Sequence, residues 1–168
     1  MHLLARTTST TPKLLARQWL VLYQQGPVWV PPLIYTGFFS NLYVAFSPSS
    51  NSFFITLHIT AAALTFSIIP ITFLYLEPGI NGACKWKVEM LLRDAKEGGG
   101  GGFSMPSART LPSVVRHSVR GGWQRWAERV EMADLVVTWA RLNHARWVLG
   151  VVAGMVSFVA SRGSMLGD

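Results

Sequence analysis

Apolar and polar positions along this chain fall into long blocks rather than short alternations. The longest block runs from Phe53 to Leu76, 24 residues without a Lys, Arg, Asp or Glu. About 20 apolar residues suffice to cross a bilayer, so this block predicts a transmembrane helix. Pro70 lies inside it and predicts a kink near its far end. A second uncharged block, 27–47, opens with Pro27, Pro31 and Pro32. Proline is tolerated in a first helical turn, so the helix proper would be about 16 residues, roughly 24 Å at 1.5 Å per residue. Trp29, Tyr35 and Tyr43 suit the aromatic belt at a membrane interface. The turn over 47–52 is short enough to make these two spans antiparallel. A third span is predicted over 139–160, of which Trp147 to Ala160 is wholly uncharged.

The segments between the blocks are polar or amphipathic. Leu15, Trp19 and Leu22 share one face of a short helix near the amino terminus, which Gly26-Pro27 is expected to end. Glu77-Pro78-Gly79 should break the second span, and Cys84 to Lys96 reads as a short charged helix. Five glycines, Gly98 to Gly102, predict a flexible loop over 97–112. No Gly-Lys-Ser/Thr follows them, which excludes a phosphate cradle. Trp123, Trp126, Ala127, Val130, Ala133 and Val137 recur at three- and four-residue steps. They predict an amphipathic helix on the membrane surface that runs without a breaker into the third span. The expected fold is thus all-α, an integral membrane helical bundle of one domain over 1–168, with three predicted spans plus a cytosolic amphipathic helix.

Charge supports this reading by its placement. Only 14% of residues are charged, against about 25% in ordinary soluble domains. Of 15 Lys and Arg, nine lie between Lys85 and Arg129, and seven of eight acids lie between Glu77 and Asp134. A bilayer imposes such segregation, because an unpaired charge in hydrocarbon costs several kcal/mol. The net charge of +7 does not indicate nucleic acid, since the basic residues are interleaved with acids and no recognition module is present. Arg6, Lys13 and Arg17 precede the first span, the 47–52 turn has no Lys or Arg, and the tail after Ala160 has only Arg162. The positive-inside rule therefore places the amino terminus and middle loop in the cytosol. A single cysteine, Cys84, excludes an internal disulfide.

Three features carry candidate chemistry. His58 lies inside the second span, where an ionisable residue suggests function; the plain alternative is a neutral histidine bonded to a neighbouring helix. Trp139, Asn143 and Arg146 form W-x-x-x-N-x-x-R, whose steps of four and three put them on one helix face. There an arginine can stabilise a phenolate or enolate. The alternative is that Arg146 snorkels to phosphates and Asn143 joins helices. No H-E-x-x-H, CxxC, G-x-S-x-G or dinucleotide fingerprint is present, and the four histidines do not make a metal site by spacing. An enzyme here is expected to work without a tightly bound metal, flavin or haem.

Several segments together resemble the fungal anthrone oxygenase family of small membrane proteins. The first is Leu14-Leu15-Ala16-Arg17-Gln18-Trp19 with Tyr23, Gly26 and Pro31-Pro32. The second is Pro70 to Asn81, an apolar run ending in a Pro-x-Asn-like turn, and the third is Trp139-Ala140-Arg141-Leu142-Asn143-His144-Ala145-Arg146. The family usually has four spans; this chain shows three, and the missing one would precede Gln18-Trp19. The resemblance implies oxidation of an anthrone to an anthraquinone with O2 as co-substrate and no cofactor, in fungal secondary metabolism. It makes His58, Arg146 and Asn143 the candidate catalytic residues. Trp139, Gln18 and Trp19 become substrate contacts, with Gln18 and Trp19 closing the cytosolic mouth. The implied partners are a small aromatic polyketide, membrane lipid and polyketide pathway enzymes, and the implied place is the endoplasmic reticulum or a related endomembrane. The competing class is a non-catalytic membrane scaffold or helper protein, which the charged helix, glycine loop and Trp-rich helix would serve equally.

Overall fold

The computed structural model describes residues 11–47, 51–97 and 119–166. Every regular element among them is helical. In order they are α1 (Pro12–Ala45), α2 (Ser52–Ile71), a π-helical segment (Thr72–Asn81), α3 (Gly82–Glu97), α4 (Gly121–Arg129) and α5 (Met132–Leu166). The fold class is all-α, as the blocks predict. Two helical stretches are long and apolar enough to cross a membrane, Ser52–Leu92 and Met132–Gly163. Their apolar windows are only 22% and 11% buried within the chain. The core helix of a soluble protein would be mostly covered, so these windows face an apolar surrounding.

Three boundaries differ from expectation. Gly26-Pro27 does not end the first helix, because α1 runs unbroken from Pro12 to Ala45 through Pro27 and Pro31-Pro32. Each proline removes one backbone hydrogen bond, but ending the helix there would leave several backbone groups unpaired, so continuity costs less. The predicted 27–47 block therefore lies inside a longer helix. It is not among the two stretches apolar enough to span, since Asn41, Gly37 and the prolines dilute it. Second, Pro70 does not mark the sharp bend. The helix widens into π turns two residues later, and the kink comes at Gly79, with φ −95° and ψ −113°. The carbonyl of Pro78, released at that kink, accepts from the Arg120 backbone N–H at 3.0 Å. Third, the amphipathic helix does not continue into the third span. Val130 is extended (φ −104°, ψ 158°) and separates α4 from α5, which starts seven residues before Trp139. Ala127 before the break and Met132 and Leu135 after it are all buried. The predicted flexible loop 97–112 lies, beyond Glu97, outside the described residues.

The chain forms two compact units, Met1–Pro27 with Phe73–Leu142, and Val28–Thr72 with Asn143–Asp168. The first has a conventional core of Trp19, Leu20, Ile80, Val88 and Leu135, with α3 packed on α4. The second is arranged the other way round. Its buried positions include Ala45, Ala61, Ala62, Ala153 and Ala160, while Leu33, Phe39, Tyr43, Phe53, Trp147 and Phe158 stand exposed. Small residues inside and large apolar residues outside is the pattern of helices packed in lipid, where close backbone approach replaces hydrophobic burial. Several of its hydroxyls are satisfied within their own helices. Thr60 donates to the Thr56 carbonyl at 2.8 Å, Thr65 to Ala61 at 2.8 Å and Ser161 to Ser157 at 3.0 Å. No water need reach them.

Candidate functional site

Two polar constellations stand out, one in each unit. The first is centred on Glu77. The Tyr23 hydroxyl lies 2.7 and 2.9 Å from its two carboxylate oxygens and donates to them. The Asn81 amide donates to Oε2 at 2.9 Å, and the Lys85 ammonium forms an ion pair with Oε1. Asn81 in turn accepts from the Trp139 indole N–H at 3.0 Å. Trp139 meets Trp19 edge-on, with centroids 5.9 Å apart, and Trp19 stacks on Tyr23 at 5.0 Å. Lys85 also sits 4.8 Å from the centre of the Tyr23 ring. The result is a closed ring of contacts through α1, the π segment and α5, pinned by α3. Lys85 is 1% exposed and Asn81 3%. A buried ammonium needs a partner, and Glu77 supplies it. The Trp19 indole N–H is buried without a hydrogen-bond partner.

Glu77, Asn81 and Lys85 recur at steps of four, the spacing that also joins Trp139 to Asn143. The kink at Gly79 does not take these three side chains out of reach of one another, because Asn81 and Lys85 both bind Glu77. In the sequence Glu77-Pro78-Gly79 reads as a breaker, across which helical spacing is not expected to carry. Gly82 makes the approach possible: a Cβ there would lie 3.0 Å from the Glu77 carbonyl oxygen and 3.1 Å from Val119.

The second unit holds the other sequence candidates. Arg146 donates from Nη1 to the Thr72 hydroxyl oxygen at 3.1 Å and from Nη2 to the Asn143 side-chain oxygen. Thr72 directs its own proton to the Ile68 carbonyl at 2.7 Å, which leaves its oxygen free to accept. The guanidinium is half-buried. His58 is 2% exposed, and its Nδ1 lies 2.9 Å from Asn41 Oδ1. Asn41 donates from Nδ2 to the Gly37 carbonyl at 2.9 Å, which fixes the amide with its oxygen toward His58. Nδ1 therefore carries the proton, and Nε2 presents a bare lone pair, buried with no partner.

The candidates are thus grouped as follows. Trp19 and Trp139 meet; Asn143 and Arg146 are bonded to each other; Gln18 is exposed on α1. His58 is separate from Arg146. Thr72, to which Arg146 is bound, lies fourteen residues beyond His58 along one helical run, about 21 Å at 1.5 Å per residue. Among the described residues, no group of three or more His, Cys, Asp or Glu is placed to hold a metal ion.

The family model for anthrone oxygenases matches residues 19–156. The chain belongs to the anthrone oxygenase family. That match takes in both constellations, from Trp19 through Glu77 and Asn81 to Trp139 and Arg146. No curated protein and no solved structure matches the chain. Family membership brings an oxygenase name to a chain with two helical stretches long and apolar enough to cross a membrane.

Proposed function

We propose that this anthrone oxygenase family member oxidises a polyketide anthrone to an anthraquinone with molecular oxygen. The family match over 19–156 carries the reading. The overall change replaces the central CH2 of the anthrone by C=O, consuming one O2 and releasing one water. The CH2 is acidified by its two flanking rings and the carbonyl opposite. Removal of one proton gives an electron-rich anion that can pass an electron to O2; the resulting radicals combine at that carbon, and loss of water from the peroxide leaves the quinone. The protein's tasks are to bind a flat apolar molecule, accept a proton and hold the anion.

Residues for these tasks are available. Trp139, Asn143 and Arg146 follow one another in α5 at steps of four and three. We assign the anion to Arg146, whose orientation is set by Thr72 and Asn143. Trp139 and Trp19 are assigned to the aromatic rings. His58, with its bare Nε2, is the candidate base. Because some 20 Å of helix separates it from Thr72, His58 and Arg146 do not act on one carbon. Anthrone conversion by the Arg146→Ala and His58→Ala proteins decides between the two ends. Loss in the first alone places the reaction at the Thr72 end, loss in the second alone places it at Asn41, and unchanged rates in both remove this reading. The proposal includes residues 27–47 as a third span, an endomembrane location, and a cytosolic middle loop; the lysine and arginine distribution supports the last of these.

A further inference from the structure

Glu77 has no role in the scheme above, yet its carboxylate gathers three side chains of the first unit. It receives Tyr23, Asn81 and Lys85, from three separate elements. It is well placed to orient something else. Asn81 has one donating and one accepting end. Glu77 accepts from the donating end at 2.9 Å, which turns the accepting end toward the Trp139 indole N–H at 3.0 Å. An indole N–H only donates, so the opposite orientation of Asn81 would set donor against donor.

We infer that Glu77 is a positioning residue for Trp139: by fixing the Asn81 amide it sets the orientation of the indole that faces the substrate's rings. This rests on the proposed assignment of Trp139 to the aromatic substrate. Lys85 balances the carboxylate charge, and Tyr23 holds its plane while stacking on Trp19, the other proposed ring contact. One carboxylate thus orders both tryptophans.

The test must separate positioning from simple support, because removing Glu77 alone strands the Lys85 charge and unfolds the region. The double substitution Glu77→Leu with Lys85→Met removes both charges at similar volume. The purified full-length protein in detergent is examined by indole 1H–15N spectroscopy, with the Trp139 resonance identified by its loss in Trp139→Phe, and by turnover of an anthrone. The expected result is a folded double variant whose Trp139 resonance has shifted and exchanges faster with solvent. Its kcat should fall by about 10²-fold, the cost of misplacing a group near the chemistry. Asn81→Ala should give the same shift and add little further loss to the double variant. A Trp139 resonance unmoved in the double variant overturns the inference. So does a shifted resonance with unchanged turnover, or a full additional loss from Asn81→Ala. Wild-type protein that turns over no anthrone removes the reaction reading instead, and the indole resonance still reports whether Glu77 sets Trp139.

Discussion

Asn41 Oδ1 lies 2.9 Å from His58 Nδ1, and the Asn41 amide nitrogen is committed to the Gly37 carbonyl at 2.9 Å. The pair fixes a histidine tautomer inside an apolar unit, with Nδ1 protonated and Nε2 bare. Asn41→Leu removes the acceptor and leaves a buried donor unsatisfied, a loss of about 1–3 kcal/mol. Denaturation in detergent should show that loss, and 15N spectra of the His58 ring should show the single tautomer replaced by a mixture. Asn41→Asp keeps an acceptor at the same place and should keep the tautomer.

The Glu77–Lys85 pair makes a second expectation. Lys85 has a side chain 2% exposed and Glu77 12%. Lys85→Met leaves a carboxylate buried without its cation, which costs about 3–5 kcal/mol. The double substitution Glu77→Leu with Lys85→Met should recover most of that stability. Thermal unfolding of the two variants side by side checks it; equal destabilisation in both would show that the pair is not the source.

Gly82 is constrained by its neighbours rather than by its backbone angles. An alanine Cβ would meet the Glu77 carbonyl oxygen at 3.0 Å and Val119 at 3.1–3.2 Å. The carbonyl belongs to the kinked backbone and cannot swing away as a side chain tip can. Gly82→Ala should therefore destabilise by about 1–3 kcal/mol, the usual cost of overpacking. Gly26→Ala, where nothing lies within 4 Å, is the matched control and should be stable.

Cys84 is fully buried, with its sulfur 3.9 Å from the Leu135 carbonyl. Thiol reagents act on an accessible thiolate, so maleimide should fail to label the folded protein and label it once it is denatured. Rapid labelling of the native protein would place Cys84 at a surface.

Much of this was legible in the sequence. Blocks such as Phe53–Leu76 give helix and membrane preference directly, because lipid tolerates little else. The Trp139, Asn143 and Arg146 spacing was also readable, since a continuous helix preserves it. The Glu77 ring was not. Its steps of four cross Pro78 and Gly79, residues that ordinarily end a helix, and only a bend stapled by the Arg120 backbone keeps Asn81 and Lys85 in reach of Glu77. Tyr23 could be read only as a position of the first helix; its bond to Glu77, 54 residues away, has no periodicity to mark it. The tautomer of His58 depends on Asn41, seventeen residues away on another helix, which no periodicity marks.

The most direct measurement is oxygen uptake by membranes carrying the full-length protein, given an anthrone in the presence of a chelator, with anthraquinone formation followed in parallel. The account predicts uptake above that of membranes lacking the protein, one O2 for each quinone formed, and a large loss in one of Arg146→Ala and His58→Ala. Uptake no faster than the spontaneous oxidation seen without the protein would contradict it.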